Sequence, residues 1–300
     1  MSGEPRIGID LGGTKIAAIA LDRQGNTIAA HRIATPAGDY LAIIAAIADL
    51  VRAIERECGA PGTVGIGTPG AISVATGLLK NSNSVCLNGQ PLQHDLEQAL
   101  GRPLRLANDA DCFALSEATD GAAAGARSVF GVILGTGTGG GIVINGRLLA
   151  GPNAIAGEWG HNPLPWPRDE ERPGPACYCG KQGCIETFLS GPGFALDYQQ
   201  ATGQSLTADV IAARAGQGNV TAHSALQRYA DRLARGLASV INVLDPEVIV
   251  LGGGMSNIAY LYDSVPALWD GYVFSDRVTT RLVQAKYGDA SGVRGAAWLW

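Results

Sequence analysis

The chain has 300 residues, of which 46% are hydrophobic and 16% charged, and this balance excludes a disordered or fibrous protein. Its net charge of -5 offers no basic surface for DNA, RNA or anionic lipid, so we expect no nucleic acid or membrane partner. No apolar run reaches the roughly 20 residues that span a bilayer, and residues 1–5 do not resemble a signal peptide. We therefore expect a cytoplasmic protein, long enough for two domains.

The first 120 residues alternate between strand and helix patterns. Short apolar runs bounded by glycines and turn residues predict strands, and apolar residues at helical spacing predict an amphipathic helix over 40–58. In chain order we predict strands over 6–11, 16–21 and 27–35, the helix over 40–58, a strand over 63–67, a helix over 91–100, a strand over 104–107 and a helix over 110–119.

The opening order then repeats. Residues 131–137 parallel residues 8–14, each an apolar strand that runs into a glycine turn. The second half predicts strands over 128–134, 142–144 and 147–149, a helix over 222–244, a strand over 247–251 and a helix over 292–300. The repeat predicts two related α/β lobes with a cleft between them. We expect a small lobe over 1–120, joined by a C-terminal helix over 290–300, and a large lobe over 121–289.

Two nucleotide-binding patterns are misleading. Residues 135–140 and 65–70 both fit G-x-G-x-x-G, but neither is followed by the helix whose N-terminus holds the pyrophosphate in a dinucleotide site. Residues 174–181 resemble a P-loop, but five residues separate the glycines and Gln182 replaces the Ser or Thr. The sequence therefore favours neither a Rossmann dehydrogenase nor a P-loop enzyme.

The glycine turns instead suit phosphate binding by hairpins. In residues 10–15, backbone N–H groups can face a phosphate, Thr14 adds a hydroxyl, and Asp10 can hold Mg²⁺. Residues 135–141 supply a similar set of donors. Each turn alone could be a tight hairpin that needs glycine for its backbone angles. Two such turns at equivalent places of a repeat favour the phosphate interpretation.

The chain resembles the ROK sugar kinases of the actin-like, hexokinase-type superfamily, and most closely the bacterial fructokinases of that family. The resemblance covers nearly the whole sequence and depends on several motifs in order. These are Asp10-Leu11-Gly12-Gly13-Thr14-Lys15, Asn108-Asp109, Gly135-Thr136-Gly137, Gly157-Glu158-Trp159-Gly160-His161, the segment from Cys177 to Glu186, and Leu251-Gly252-Gly253-Gly254.

The resemblance implies a ribonuclease H-like fold with duplicated βββαβαβα lobes, ATP and a hexose as substrates, and a homodimer. Family repressors carry an added N-terminal DNA-binding domain; because the first predicted strand begins at about residue 6, we expect no such domain here. The resemblance also implies a set of ATP-binding residues. They are Gly8, Ile9, Asp10, Leu11, Gly12, Gly13, Thr14, Lys15, Gly135, Thr136, Gly137, Thr138, Gly139, Gly140, Gly141, Ile142, Gly252, Gly253 and Gly254.

One histidine and three crowded cysteines predict a zinc site. His161, Cys177, Cys179 and Cys184 provide one imidazole and three thiolates, a set that fills a tetrahedral structural site. The alternative is a group of buried or reactive thiols. The resemblance favours zinc, because these positions match the family's ligands. We expect the metal to be structural, with the second ring nitrogen of His161 left for a partner such as a sugar hydroxyl.

The resemblance also assigns the catalytic base and the sugar contacts. In the family's Asn-Asp pair, Asp109 is the base and Asn108 contacts sugar; from the sequence alone, Asp109 could equally be a helix N-cap. Acidic acceptors suit a polyol. The remaining implied sugar contacts are Glu158, His161, Glu186, Gly67 and Asn83, the last two being weaker because residues 84–90 depart from the family pattern. Glu186 alone could be an ordinary first-turn helix glutamate.

We therefore expect an ATP-dependent fructokinase that forms fructose 6-phosphate. Glucose, mannose or an N-acetylhexosamine is the alternative acceptor, because the motifs do not distinguish among these sugars. A sugar-sensing regulator without turnover is the alternative from another class. The acidic composition and the Asn108-Asp109 pair argue against it.

Overall fold

The computed structural model describes residues 4–300, which divide into two compact units. The first comprises residues up to 125, residues 141–156 and residues 289–300; the second comprises residues 126–140 and 157–288. Among residues 4–300, no helix is both long enough and apolar enough to span a bilayer.

Runs of strands and runs of helices follow one another along the described residues. The strands are β1 (Arg6–Leu11), β2 (Lys15–Leu21), β3 (Thr27–Ala34), β4 (Thr63–Thr68), β5 (Ala71–Ile72), β6 (Leu79–Lys80), β7 (Arg105–Asn108), β8 (Ser128–Leu134), β9 (Thr138–Ile144), β10 (Arg147–Leu148), β11 (Val248–Gly252) and β12 (Arg281–Gln284). The helices are α1 (Tyr40–Cys58), α2 (Leu92–Leu100), α3 (Asp109–Thr119), α4 (Ile185–Leu189), α5 (Gly191–Thr202), α6 (Ala208–Gly216), α7 (Val220–Leu244), α8 (Tyr260–Ala267) and α9 (Ser291–Ala297).

The predicted duplication is confirmed by the sheets. One five-stranded sheet has the order β3-β2-β1-β4-β7, and another within the described residues has the equivalent order β10-β9-β8-β11-β12. In the first, β1 pairs antiparallel with β2 and parallel with β4; in the second, β8 pairs parallel with β11. Two mixed five-stranded sheets with helices are the predicted α/β architecture of the actin-like, hexokinase-type fold.

The helix α9 packs closely on the first sheet, and glycines make this approach possible. A Cβ atom on Gly8 of β1 would lie 2.1 Å from the carbonyl oxygen of Val293, and one on Gly65 of β4 would lie 1.9 Å from that of Ala296. A Cβ atom on Gly295 would lie 1.6 Å from the carbonyl oxygen of Cys112 on α3. Close packing of α9 therefore explains the glycine at position 8 without the predicted ATP contact.

Several predicted boundaries need small corrections. The strand predicted over 104–107 lies one residue later, the helix predicted from 110 begins at Asp109, and the last helix ends at Ala297. The strand predicted over 142–144 begins four residues earlier, at Thr138, so the second glycine turn is shorter than expected. The pattern also gave no expectation for α4, α5, α6, α8 and β12.

Candidate functional site

The first glycine turn joins β1 to β2 and comprises residues 12–14. The Gly12 N–H donates to the carbonyl oxygen of Lys15 at 3.0 Å, and the Thr35 hydroxyl donates to the carbonyl oxygen of Gly12 at 2.7 Å. The Gly12 N–H is therefore occupied within the protein, and Gly13 and Thr14 are the exposed residues of the turn. Of the other predicted ATP contacts, Lys15 is exposed, whereas Gly8, Ile9 and Leu11 are buried in the first unit.

The second glycine turn joins β8 to β9 and is also three residues long, 135–137. The Gly135 N–H donates to the carbonyl oxygen of Gly137 at 3.0 Å, and the Thr138 N–H donates to Glu186 Oε2 at 2.9 Å. Thr136 is the exposed residue of this turn, and its neighbours Gly135 and Gly137 are half-buried. This turn thus has the same length and a similar internal hydrogen bond to the first.

The prediction that the turn extends to Gly141 is wrong, because the later glycines lie in β9. A Cβ atom on Gly140 would lie 2.9 Å from the carbonyl oxygen of Gly157, and one on Gly141 would lie 2.5 Å from that of Ala110. Close packing therefore explains these two glycines. Gly139 and Ile142 are half-buried strand residues.

The Asn108-Asp109 pair lies where β7 passes into α3. Strand pairing places Ala107 opposite Gly67. Asn108 is the N-cap, because its Oδ1 accepts from the Asp111 N–H at 2.6 Å; the alternative of Asp109 as N-cap is therefore wrong. Asp109 is the first helical residue, and its Oδ1 accepts from the Ala110 N–H at 2.8 Å.

The Asp109 carboxyl is accessible to solvent and yet closely surrounded by protein. Desolvation by this surrounding protein raises its pKa, and the hydrogen bond from the Ala110 N–H opposes the shift only in part. The raised pKa brings this carboxyl closer to the range of a general base.

Asp10, at the end of β1, is coupled electrostatically to Asp109. Burial and the negative charge of Asp109 raise the pKa of Asp10 to about 6, against the opposing charges of Lys15 and Arg32. The first unit therefore contains two carboxyls whose ionised forms disfavour each other. Such a pair attracts a proton or a divalent cation.

The four predicted metal ligands lie together in the second unit. The ligand atoms of His161, Cys177, Cys179 and Cys184 all lie within 4.8 Å of one another. The Cys179 and Cys184 sulfur atoms are 3.6 Å apart, as are Cys177 Sγ and His161 Nδ1. Tetrahedral zinc with sulfur ligands at about 2.3 Å separates its ligand atoms by about 3.7 Å. The cluster therefore fits such an ion.

An arginine-glutamate network on α7 fixes the segment between the first and second of these ligands. Glu171, 7% exposed, accepts from Arg232 Nε at 2.8 Å and from both terminal nitrogens of Arg235. Arg235 also donates to the carbonyl oxygens of Pro165 and Trp166. Burial alone would raise the pKa of Glu171, but the arginine hydrogen bonds outweigh it and lower the pKa to about 2.

The second ring nitrogen of His161 has a protein partner, Tyr178. The Tyr178 hydroxyl lies 3.0 Å from His161 Nε2, and the two rings meet edge to face with centroids 5.1 Å apart. The prediction that this nitrogen is left for a sugar hydroxyl is therefore wrong for this structure. The Tyr178 side chain is largely exposed, but partial desolvation raises its pKa to about 12, with smaller contributions from the charges of Glu186, Cys177 and Glu158. The Tyr178 hydroxyl thus contacts one predicted sugar contact, His161, and is coupled electrostatically to two others, Glu158 and Glu186.

The remaining predicted residues are divided between the units. Asn83 is exposed and Gly67 is buried at the end of β4, both in the first unit. In the second unit Glu158 is exposed. Glu186 is half-buried in the first turn of α4, as the alternative interpretation of a first-turn helix glutamate also predicted. In the segment after β11, Gly252 is buried and Gly254 exposed, and Gly253 adopts φ 79°.

Sequence reasoning missed two groups that shape this site. Tyr178 lies in sequence between the predicted ligands Cys177 and Cys179, which was a signal that it lies beside the metal site. The spacing of these ligands could not predict the contact of its hydroxyl with His161. Glu171, Arg232 and Arg235 carry the network on α7, and their pairing across about 60 residues left no local pattern.

Comparison with known proteins confirms the resemblance to the ROK family but does not support its finer assignment to the bacterial fructokinases. The model of the ROK family matches residues 6–300. An N-acetyl-D-glucosamine kinase from Vibrio cholerae is 41% identical over 298 residues, 97% of this chain and 98% of that protein. Further relatives of the same name, from Aliivibrio salmonicida and Yersinia enterocolitica, are 42% and 40% identical.

Solved structures are also similar over nearly the whole chain. A ROK hexokinase from Thermus thermophilus has a TM-score of 0.87 and 32% identity, with 98% of this chain and 97% of that chain covered. A ROK glucokinase from Streptomyces griseus, in complex with glucose and AMPPNP, has a TM-score of 0.78 and 29% identity, with 98% of each chain covered.

Proposed function

The chain belongs to the ROK family, and from that premise we propose that it is an ATP-dependent kinase for the 6-hydroxyl of N-acetyl-D-glucosamine. This acceptor replaces the expected fructose, because full-length relatives near 40% identity carry the name N-acetyl-D-glucosamine kinase. The fold and the Asn108-Asp109 pair are common to either acceptor.

The observation that carries the kinase proposal is the accessible Asp109 carboxyl at the start of α3. Phosphoryl transfer needs one carboxylate to accept the proton of the attacking hydroxyl, while the rest of catalysis is positioning and charge stabilisation. The raised pKa makes Asp109 a better proton acceptor than an ordinary aspartate. Asn108, held rigidly by its capping hydrogen bond, would present its amide nitrogen to a sugar hydroxyl.

The glycine turns are the proposed phosphate-binding elements. In each turn the first N–H is occupied internally, so Gly13 and Thr14 in one turn, and Thr136 and Gly137 in the other, are the proposed donors. Asp10 would hold the Mg²⁺ that accompanies ATP, since a carboxylate is the hard oxygen donor that this ion prefers. When bound, the ion neutralises phosphate charge.

The histidine-cysteine cluster is the proposed structural zinc site. Four protein ligands leave no coordination position for reactive water, so the metal would stabilise the loop and leave the chemistry to other residues. The loop carries Tyr178 and leads into Glu186. Zinc would thereby fix side chains proposed to bind sugar.

A coupled assay of ADP formation tests the proposed acceptor. We expect kcat/KM for N-acetyl-D-glucosamine to exceed the values for glucose, mannose and fructose by at least about 10-fold, the discrimination that one substituent provides. A higher value for fructose would restore the original expectation. Absence of sugar-dependent ADP formation with every sugar would instead favour a regulator.

The variant Asp109→Asn tests the catalytic base. The amide keeps the size of the carboxyl but cannot accept the proton, so kcat should fall by at least about 100-fold, the lower bound for a lost general base. Bound zinc should remain that of wild type, and the unfolding temperature should not be lower, because the substitution removes a desolvated charge that disfavours ionised Asp10. The exposed Asp49→Asn variant on α1 is the control and should retain full activity. Near wild-type kcat in Asp109→Asn would refute the assignment.

A further inference from the structure

The first unit contains a small apolar cavity beside Asn108. Its volume is about 160 Å³, and it lies among β5, β7, β10 and residues 150–156. Eight of its eleven lining residues are apolar and five of those eight are alanines. Sites for whole drug-sized ligands have about 300–1,000 Å³, so this cavity suits a substituent and not a second sugar.

The wall formed by residues 150–156 is held in an unusual backbone conformation. Ala154 adopts φ 51°, a left-handed conformation that residues other than glycine rarely take. The neighbouring Ala156 N–H donates to the carbonyl oxygen of Ala150 at 3.3 Å, which closes this segment into a turn. The segment therefore keeps the side of the cavity formed by Ala150, Ala154 and Ala156 lined with single methyl groups.

Three polar residues, Thr68, Asn108 and Asp111, also line the cavity. The Oδ1 of Asn108 is occupied by the Asp111 N–H at 2.6 Å, which leaves Nδ2 as the group that can donate to a ligand. A ligand group that suits this arrangement has a methyl for the alanine wall and a carbonyl oxygen for the Asn108 amide. An acetamido group has both.

We propose that this cavity receives the acetamido group of the sugar and selects N-acetylated hexoses over unsubstituted ones. This proposal rests on the proposed function, because it places the substituent next to Asn108, a proposed sugar contact. The methyl would pack against Ala71 and Ala156, and the carbonyl oxygen would accept from Asn108 Nδ2. An unsubstituted hexose would leave the cavity unfilled.

Filling the cavity from either of two walls tests the proposal. Ala71→Val adds bulk on a strand, where valine is favoured, and Ala156→Val adds it from the turn. Each should lower kcat/KM for N-acetyl-D-glucosamine by about 10–200-fold, while kcat/KM for glucose stays within about 3-fold. Ala45→Val, at an exposed position of α1 outside the cavity, is the matched control and should change neither value.

Enlarging the cavity provides an independent test should both valine variants fail to fold. Ile72→Ala removes a lining side chain and should raise the kcat/KM ratio of N-propanoyl-glucosamine to N-acetyl-D-glucosamine by about 10-fold. An unchanged ratio would count against the proposal.

The outcomes separate the two proposals. Suppose that the wild type prefers N-acetyl-D-glucosamine, but that the valine variants lose kcat/KM equally for both sugars or for neither. This result would overturn the cavity assignment and leave the proposed function intact. A wild-type enzyme that does not prefer N-acetyl-D-glucosamine to glucose overturns both.

Discussion

Glu186 Oε2 accepts a 2.9 Å hydrogen bond from the backbone N–H of Thr138, which joins the proposed sugar-binding glutamate to the second glycine turn. A Cβ atom on Gly137 would lie 2.7 Å from the same oxygen, so the glycine makes room for the carboxylate. The turn is also fixed by the Gly191 N–H, which donates to the carbonyl oxygen of Gly135 at 2.8 Å. One carboxylate thus supports a turn proposed for phosphate while being proposed to contact sugar.

Two substitutions of Glu186 should separate these roles. Glu186→Gln keeps an oxygen for the Thr138 N–H but loses the charge, so KM for the sugar should rise about 10-fold while KM for ATP stays within about 2-fold. Glu186→Ala leaves the Thr138 N–H without this acceptor, at a cost of about 1–3 kcal/mol, so KM for ATP should also rise about 10-fold. Steady-state kinetics with each substrate varied measures both. Identical KM values for ATP in the two variants would contradict the supporting role.

Local patterns predicted the fold well where each element carries its own signal. Helix α1 has the predicted bounds, because its buried face repeats at helical spacing and Gly59 ends it in a left-handed conformation. The short helix α4 was not predicted, because five residues are too few to establish a period. Its position depends on packing against distant parts of the chain.

The glycines illustrate what sequence alone cannot distinguish. Gly13 lies in an exposed turn, whereas Gly8 and Gly141 are glycine because a side chain would collide with the backbone of another element. Glycines of the exposed turns and glycines required by packing occur in the same glycine-rich sequence motifs. Contacts across long separations in sequence, such as that of Thr138 with Glu186, decide which kind each glycine is.

Tyr178 should stabilise the proposed zinc site through His161. Its hydroxyl can accept the Nε2–H, which fixes the tautomer whose Nδ1 faces Cys177. We expect the wild type to bind one zinc ion per chain. Tyr178→Phe should lower the zinc affinity by about 10-fold, which competition with a chromogenic chelator measures.

A second tyrosine provides the control for this change. Tyr260 meets His223 edge to face with ring centroids 5.5 Å apart, outside the histidine-cysteine cluster. Tyr260→Phe should leave zinc affinity unchanged. Equal zinc affinity in wild type and Tyr178→Phe would mean that the 3.0 Å contact does not orient His161.

Glu171 should contribute to stability in a pH-dependent way. Its substitution by Gln would remove the carboxylate that Arg232 and Arg235 share, while Arg232 keeps Asp197 and Arg235 keeps Asp231 as partners, so we expect a loss of about 1–3 kcal/mol in the free energy of unfolding. Because its folded pKa, about 2, lies below the ordinary glutamate value of 4.5, its contribution to stability is present above pH 4.5 and declines as the pH falls towards 2. Urea unfolding at pH 7 and pH 3 measures this, with Glu170→Gln at the exposed neighbouring residue as control. A Glu171→Gln penalty as large at pH 3 as at pH 7 would exclude charge as its source.

Asp10 should show the opposite dependence on pH. Its folded pKa, about 6, lies above the ordinary aspartate value of 3.8, so the folded state loses stability as the pH rises from 3.8 through 6. The difference corresponds to at most about 3 kcal/mol, so Asp10→Asn should be more stable than wild type at pH 8 by up to that amount and nearly equal at pH 4. The same variant should lose activity, because it lacks the proposed Mg²⁺ ligand. Thermal unfolding without nucleotide, at the two pH values, measures the stability.

The matched control is Asp22, whose pKa is lowered by its hydrogen bond with Asn26. Asp22→Asn should lose stability at pH 8 and not gain it, so the two variants should differ in sign. Because the charge of Asp109 contributes to the raised pKa of Asp10, Asp109→Asn should also shift the midpoint of the pH-dependent stability to lower pH. In the Asp10→Asn background, adding Asp109→Asn should produce no such shift, because the Asp10 carboxyl that titrates is no longer present. If the midpoint were the same in wild type and Asp109→Asn, burial alone would account for the raised pKa of Asp10.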